Sequence, residues 1–111
     1  MPIIILRERK ATKEEIEKMS YQYGSYIKVV VDIEKGILAG GGQYHADEEQ
    51  LLLEYGCKQE NLWGAGVDID TGTIDYDSMI NIRQTQSNPS RIVADPKIRK
   101  KIDIIIKDLI L

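Results

Sequence analysis

The spacing of apolar and polar positions changes period several times along the chain, and each change marks an element. Ile3, Ile4, Ile5 and Leu6 form a short apolar run that stops at the charged stretch from Arg7 to Lys10, the pattern of a buried strand. Thr12-Lys13-Glu14-Glu15 then matches a capping box, in which the Thr hydroxyl and the Glu carboxylate each satisfy a free backbone N–H. Ile16, Met19 and Tyr23 recur at helical spacing and are expected to face the core, with Gly24 as the stop. From Tyr26 the period becomes two. Ile27, Val29, Val31 and Ile33 alternate with Tyr26, Lys28, Val30 and Asp32, so a strand with one well-buried face is expected. Glu34-Lys35-Gly36 supplies the hairpin turn, and Ile37 to Gly42 returns as its partner.

The stretch from Gln43 to Tyr55 reads two ways. As a strand, Leu51 and Leu53 alternate with Gln50, Leu52 and Glu54; as a helix, Leu52 follows Glu48 and Glu49 by about one turn. The strand is preferred, because the stretch is short and a β-run follows it directly. That run, Leu62 to Ile69, puts Trp63, Ala65, Val67 and Ile69 on one face, and Asp70-Thr71-Gly72-Thr73 ends it in a hairpin. A further strand is expected, with Ile74, Tyr76, Ile80 and Ile82 on one face and Asp75, Asp77, Asn81 and Arg83 on the other. The polar stretch from Gln84 to Arg91 reads as an exposed loop. Asp95-Pro96 opens the last helix, whose Ile98, Ile102, Ile105, Ile106 and Leu109 make a stripe wide enough to cover a sheet. The expected fold is therefore one α+β domain over residues 1–111. Its antiparallel sheet has about five or six strands, and the helices near the N- and C-termini pack on one face.

Composition narrows the function classes. The chain has 111 residues, with 42% hydrophobic and 30% charged positions, which suits a globular domain. Fifteen basic against 18 acidic side chains leave a formal charge of −3, so a general nucleic-acid or anionic-membrane binder is not expected. Cys57 is alone, which excludes an internal disulfide. No apolar run approaches the roughly 20 residues of a membrane helix, and the N-terminal stretch lacks the charge order of a signal peptide. A cytoplasmic location is expected.

Candidate chemistry centres on His45, the only imidazole. With Asp47 and Glu49 it would share one face of a strand, and an imidazole with two carboxylates is a donor set for a divalent cation. The plainer reading is a His45–Asp47 hydrogen bond with no metal. Asp68-Ile69-Asp70-Thr71-Gly72 resembles the start of a calcium loop but has glycine at the third ligand position, so a turn explains it. The glycines at 40–42 and around Ala65 match no phosphate-binding motif and read as close packing between strands; small residues beside Trp63 could also leave a shallow ligand or peptide surface. The polar stripe ending at Asn81 and Arg83 reads as a solvated face or, with Gln84, Gln86 and Asn88, as a rim for a polar ligand. Cys57, beside Lys58 in an expected turn, has no base placed next to it by the sequence.

The segments KVVVDIEKGILAGGG at 28–42, HAD at 45–47, ENLWG at 60–64, SMINIR at 78–83 and DPKIR at 95–99 together resemble a family of short prokaryotic proteins classed as a domain of unknown function. In that pattern a Cys often follows His-Ala-Asp and a Pro often follows the Arg, where this chain has Glu48 and Gln84. The resemblance implies a shared fold without an activity, and it singles out His45, Asp47, Trp63, Asn81 and Arg83 as candidate binding positions. The leading expectation is a non-enzymatic binding or interaction module, homo-oligomeric or paired with a protein partner, with no cofactor. Two alternatives stay open: a divalent-metal-dependent hydrolase or nuclease using His45, Asp47 and Glu49, with Arg83 against developing negative charge, and one component of a toxin–antitoxin pair.

Overall fold

A computed structural model describes residues 3–6, 8–21 and 23–111, with only the backbone of residue 6; Arg7, in the expected charged stretch, lies outside the described residues. Five strands, β1 (Ile4–Leu6), β2 (Tyr26–Asp32), β3 (Ile37–Gly40), β4 (Leu62–Asp68) and β5 (Ile74–Asp75), form one antiparallel sheet in the order β1-β3-β2-β4-β5. Three helices, α1 (Lys13–Ser20), α2 (His45–Tyr55) and α3 (Pro96–Leu109), complete an α+β fold.

The long central pair sets the register: Val29 lies opposite Ala65 and Val31 opposite Trp63. Side chains alternate across a strand, so Ile27, Val29, Val31, Trp63, Ala65 and Val67 face one side, where they meet Met19 of α1 and Ile102, Ile105 and Ile106 of α3. The two terminal helices share this face, as their apolar stripes predict. Both start as expected. Thr12 and Glu15 close the capping box of α1, and Asp95 caps α3 ahead of Pro96. Helix α1 ends at Ser20, short of Gly24, so Tyr23 is not on its core face; its hydroxyl instead donates to the Gln43 carbonyl at 3.1 Å.

The opposite face is covered by α2, whose Leu52 packs with Val30, Ala39, Cys57 and Leu62. Here two expectations are overturned. Residues 45–55 are helical rather than a strand, and the helix ends at Gly56, whose φ of 109° suits glycine and whose N–H reaches the Leu52 and Leu53 carbonyls. Only Glu48 and Leu52 of this helix are fully buried, so the apolar period that normally announces a helix is almost missing. The strand expected from Ile74 to Arg83 stops at Asp75. Beyond it, side chains take backbone groups that a ladder would use: Asp75 Oδ1 accepts from Asp77 N, and Ser78 Oγ accepts from Ile80 N. The chain turns into a 3₁₀ segment at Met79–Asn81 and then loops back.

Candidate functional site

The cluster proposed as a metal site is taken apart by α2. At 100° per residue, positions 45 and 49 share a helical face while 47 points to the other side. Asp47 is accordingly exposed, and Glu49 lies 3.7 Å from the Arg83 guanidinium. Among the described residues no three His, Cys, Asp or Glu side chains gather closely enough to hold a metal ion. The donor set expected from a strand is therefore not formed.

Asn81, Arg83 and Trp63 turn out to be structural. Beyond β5 the outer edge of β4 has no strand partner, and side chains take its place. Asn81 accepts from Gly64 N at 2.8 Å and donates back to Gly64 O at 2.9 Å, reproducing with one carboxamide the pair of bonds a neighbouring strand would make. It also donates to the Tyr76 and Arg91 carbonyls. Arg83 donates to the carbonyls of Leu62, Gln59 and Ile80, and its guanidinium lies 4.6 Å from the centre of the Trp63 ring. Trp63 itself is buried in the core on the α1/α3 side. Asn88 completes the arrangement by bonding the Asn81, Ser90 and Ile92 carbonyls and the Ala94 N–H. These residues hold the 76–94 segment against the sheet.

The small-residue floor around Ala65 is occupied by the protein's own groups. A Cβ on Gly64 would overlap the Ser78 side chain, and one on Gly66 would overlap the Tyr26 hydroxyl. Close packing is thus what these glycines serve, and the shallow surface beside Trp63 is not present. Cys57 is buried next to Asp32, and burial together with that carboxylate pushes its thiol up to about 11. It is a poor nucleophile.

His45 lines a cleft among the described residues. It is the first residue of α2, and its Nε2 lies 2.7 Å from the Ala65 carbonyl oxygen. Burial lowers its pKa below the ordinary 6.5 and Lys28 adds to this, while the Ala65 carbonyl, Asp75 and Asp77 pull the other way. A carbonyl can only accept, so the neutral ring carries its proton on Nε2 and its lone pair on Nδ1. Two cavities of about 350 and 380 Å³ meet here, sharing Lys28, His45 and Arg91. The first is completed by Tyr44, Ala46, Ser78, Met79 and Ile80; the second by Tyr26, Asp75, Asp77 and Ile92.

The charged groups are held in place. Lys28 donates to the Gln43 carbonyl at 3.0 Å and lies 5.2 and 5.7 Å from the Tyr23 and Tyr44 ring centres. Arg91 Nε donates to Asp77 Oδ1 at 2.8 Å. The Tyr26 hydroxyl donates to Asp75 Oδ2 at 2.7 Å, and burial followed by this bond raises the phenol well above its ordinary range. Sequence reading missed Lys28, Tyr26 and Arg91 as site residues. Lys28 left a trace, a lone cation within the apolar run of β2. Arg91 left none, because a loop connection brings it here.

With the geometry in view, the chain can be set against known proteins. A family model described as a protein of unknown function, DUF5674, matches residues 4–109. The chain belongs to the DUF5674 family. The match spans every helix and strand of the domain, and the expected membership of a family of unknown function stands. No curated protein and no solved structure matches the chain. No helix among the described residues is long and apolar enough to cross a membrane.

Proposed function

We propose that this member of the family is a binding module whose ligand occupies the cleft at the start of α2. The observation that carries this reading is the convergence of His45, Lys28 and Arg91, from three separate segments, on two adjoining cavities. Each of the three is oriented by the fold: His45 by the Ala65 carbonyl, Lys28 by the Gln43 carbonyl and Arg91 by Asp77. A concave site with a few positioned polar groups is the usual form of a small-molecule site. Binding rather than catalysis is favoured by the thiol chemistry, since Cys57 packs with Leu52 and Leu62 and its pKa is raised.

The test is a small-fragment screen followed by two-dimensional amide NMR on the ¹⁵N-labelled protein. Binding fragments should shift the amides of Tyr44, His45, Met79 and Ile80, and His45→Ala should weaken them. Fragments that bind only elsewhere, or a cleft that no fragment perturbs, would overturn the reading.

A further inference from the structure

The two cavities differ in charge, and the difference specifies a ligand class. Asp75 and Asp77 line only the second cavity, and each is already answered from within the protein, Asp75 by Tyr26 and Asp77 by Arg91. Arg91 shares its charge with Asp77 through this ion pair, while Lys28 has no carboxylate partner among the described residues. Arg91 spends its Nε–H on Asp77, and among the described residues its terminal Nη groups take no partner. Lys28 commits one of its three N–H donors to Gln43. Both cations also line the first cavity, which has no carboxylate in its wall. His45 and Ala46, the first residues of α2, also border this space.

Apart from Ser78, the rest of the first cavity is lined by Tyr44, Ala46, Met79 and Ile80. Met79 is 64% exposed and Tyr44 59%, and Ile80 lies between sheet and solvent. Large apolar side chains held at a cationic cavity mouth suit a partner that is itself two-ended.

Resting on the cleft being a binding site, we propose that its ligand is an amphipathic organic anion, a carboxylate or phosphate on an apolar body. The anionic group lies between Lys28 and Arg91, and the apolar body lies against Tyr44, Met79 and Ile80. Charge-assisted hydrogen bonds from two cations, one of them a guanidinium able to grip two oxygens, give the anion its preference.

The experiment titrates wild-type protein with four probes of one shape, phenyl phosphate, phenylacetate, benzyl alcohol and benzylamine, and follows amide shifts at Ala46, Met79 and Ile80. Phenyl phosphate or phenylacetate should bind there at least about tenfold tighter than benzyl alcohol, the value of one charge-assisted hydrogen bond. Which of the two binds tighter separates phosphate from carboxylate recognition. Lys28→Met and Arg91→Gln should each remove most of the advantage of the anions over benzyl alcohol, with thermal melts confirming that each variant is folded. If a variant fails to fold, the wild-type comparison of anion against alcohol still decides. Equal or tighter binding of benzyl alcohol or benzylamine at the same amides would overturn the anion while leaving the cleft standing. Silence from all four probes at these amides would overturn the anion proposal, and the fragment screen would then decide on the cleft itself.

Discussion

Asn81 shows how much one side chain can carry when it replaces a strand. Its carboxamide pairs with both the N–H and the C=O of the otherwise unpaired edge of β4 at Gly64, and its NH2 also lies within hydrogen-bond distance of the Tyr76 and Arg91 carbonyls. Truncation would leave that buried N–H and C=O unmatched. Asn81→Ala should lower stability by about 2–4 kcal/mol, read as a shift of the urea midpoint; a change below about 1 kcal/mol would mean the edge is satisfied some other way. Glu48 poses the opposite problem. It is fully buried, one oxygen accepts from Gly42 N at 2.9 Å, and the other has no partner among the described residues. Burial raises its pKa well above the ordinary 4.5, with the Gly42 bond opposing. The folded protein therefore holds a proton here that the unfolded chain releases. This contribution to stability is full below about pH 4.5 and is lost as pH rises through the folded value. Glu48→Gln, which keeps the shape and cannot ionise, should flatten the alkaline decline in urea midpoint seen for the wild type. Parallel curves for the two proteins would mean that Glu48 does not titrate in the fold. Neither role is readable from sequence, where Asn81 looks like a solvated stripe and Glu48 like one carboxylate among several.

At the scale of elements, the legible pieces are those whose burial follows one period over several turns or residues. α3 buries Ile102, Ile105, Ile106 and Leu109 against the sheet; β2 alternates only from Tyr26 to Val29, and its residues from Val29 to Asp32 are all buried because α2 covers the second face. α2 is harder to read because it presents little more than Glu48 and Leu52 to the sheet, while Leu51 and Leu53 happen to alternate. Its clearest local signature is the stop at Gly56. Gly56→Ala places a Cβ where φ is 109°, with open space around it, so the cost is backbone strain alone. We expect a loss of about 1 kcal/mol, measured by thermal unfolding. No loss would show that the helix end relaxes to another cap. Beyond β5 the alternation of Ile80 and Ile82 with Asn81 and Arg83 imitates a strand. The turn-forming Asp75 and Ser78 decide otherwise, because their side chains bond the local backbone first.

At the scale of the molecule, one sheet is shared by two apolar clusters, with α1 and α3 on one face and α2 on the other. Both faces depend on the same central strands, so they should unfold together. Ile102→Ala and Leu52→Ala, at fully buried positions on opposite faces, should each cost about 2–5 kcal/mol, and the double variant should lose close to the sum. Tryptophan fluorescence, reporting Trp63 on the first face, and far-ultraviolet circular dichroism should give coincident transitions. Separate transitions would show two independently stable layers.

The sequence by itself determined the α+β class, the hairpins, both terminal helices and the buried faces of β2 and β4, because these follow from local capping, turn chemistry and short periods. It also identified His45 as worth attention. Only the tertiary structure decided what surrounds that imidazole. Long-range pairing brings Lys28 from β2, the start of α2 and Arg91 from a loop to one cleft, and it turns Asn81 and Arg83 inward onto an open strand edge. Separations of this kind along the chain carry no period, so no local pattern can encode them.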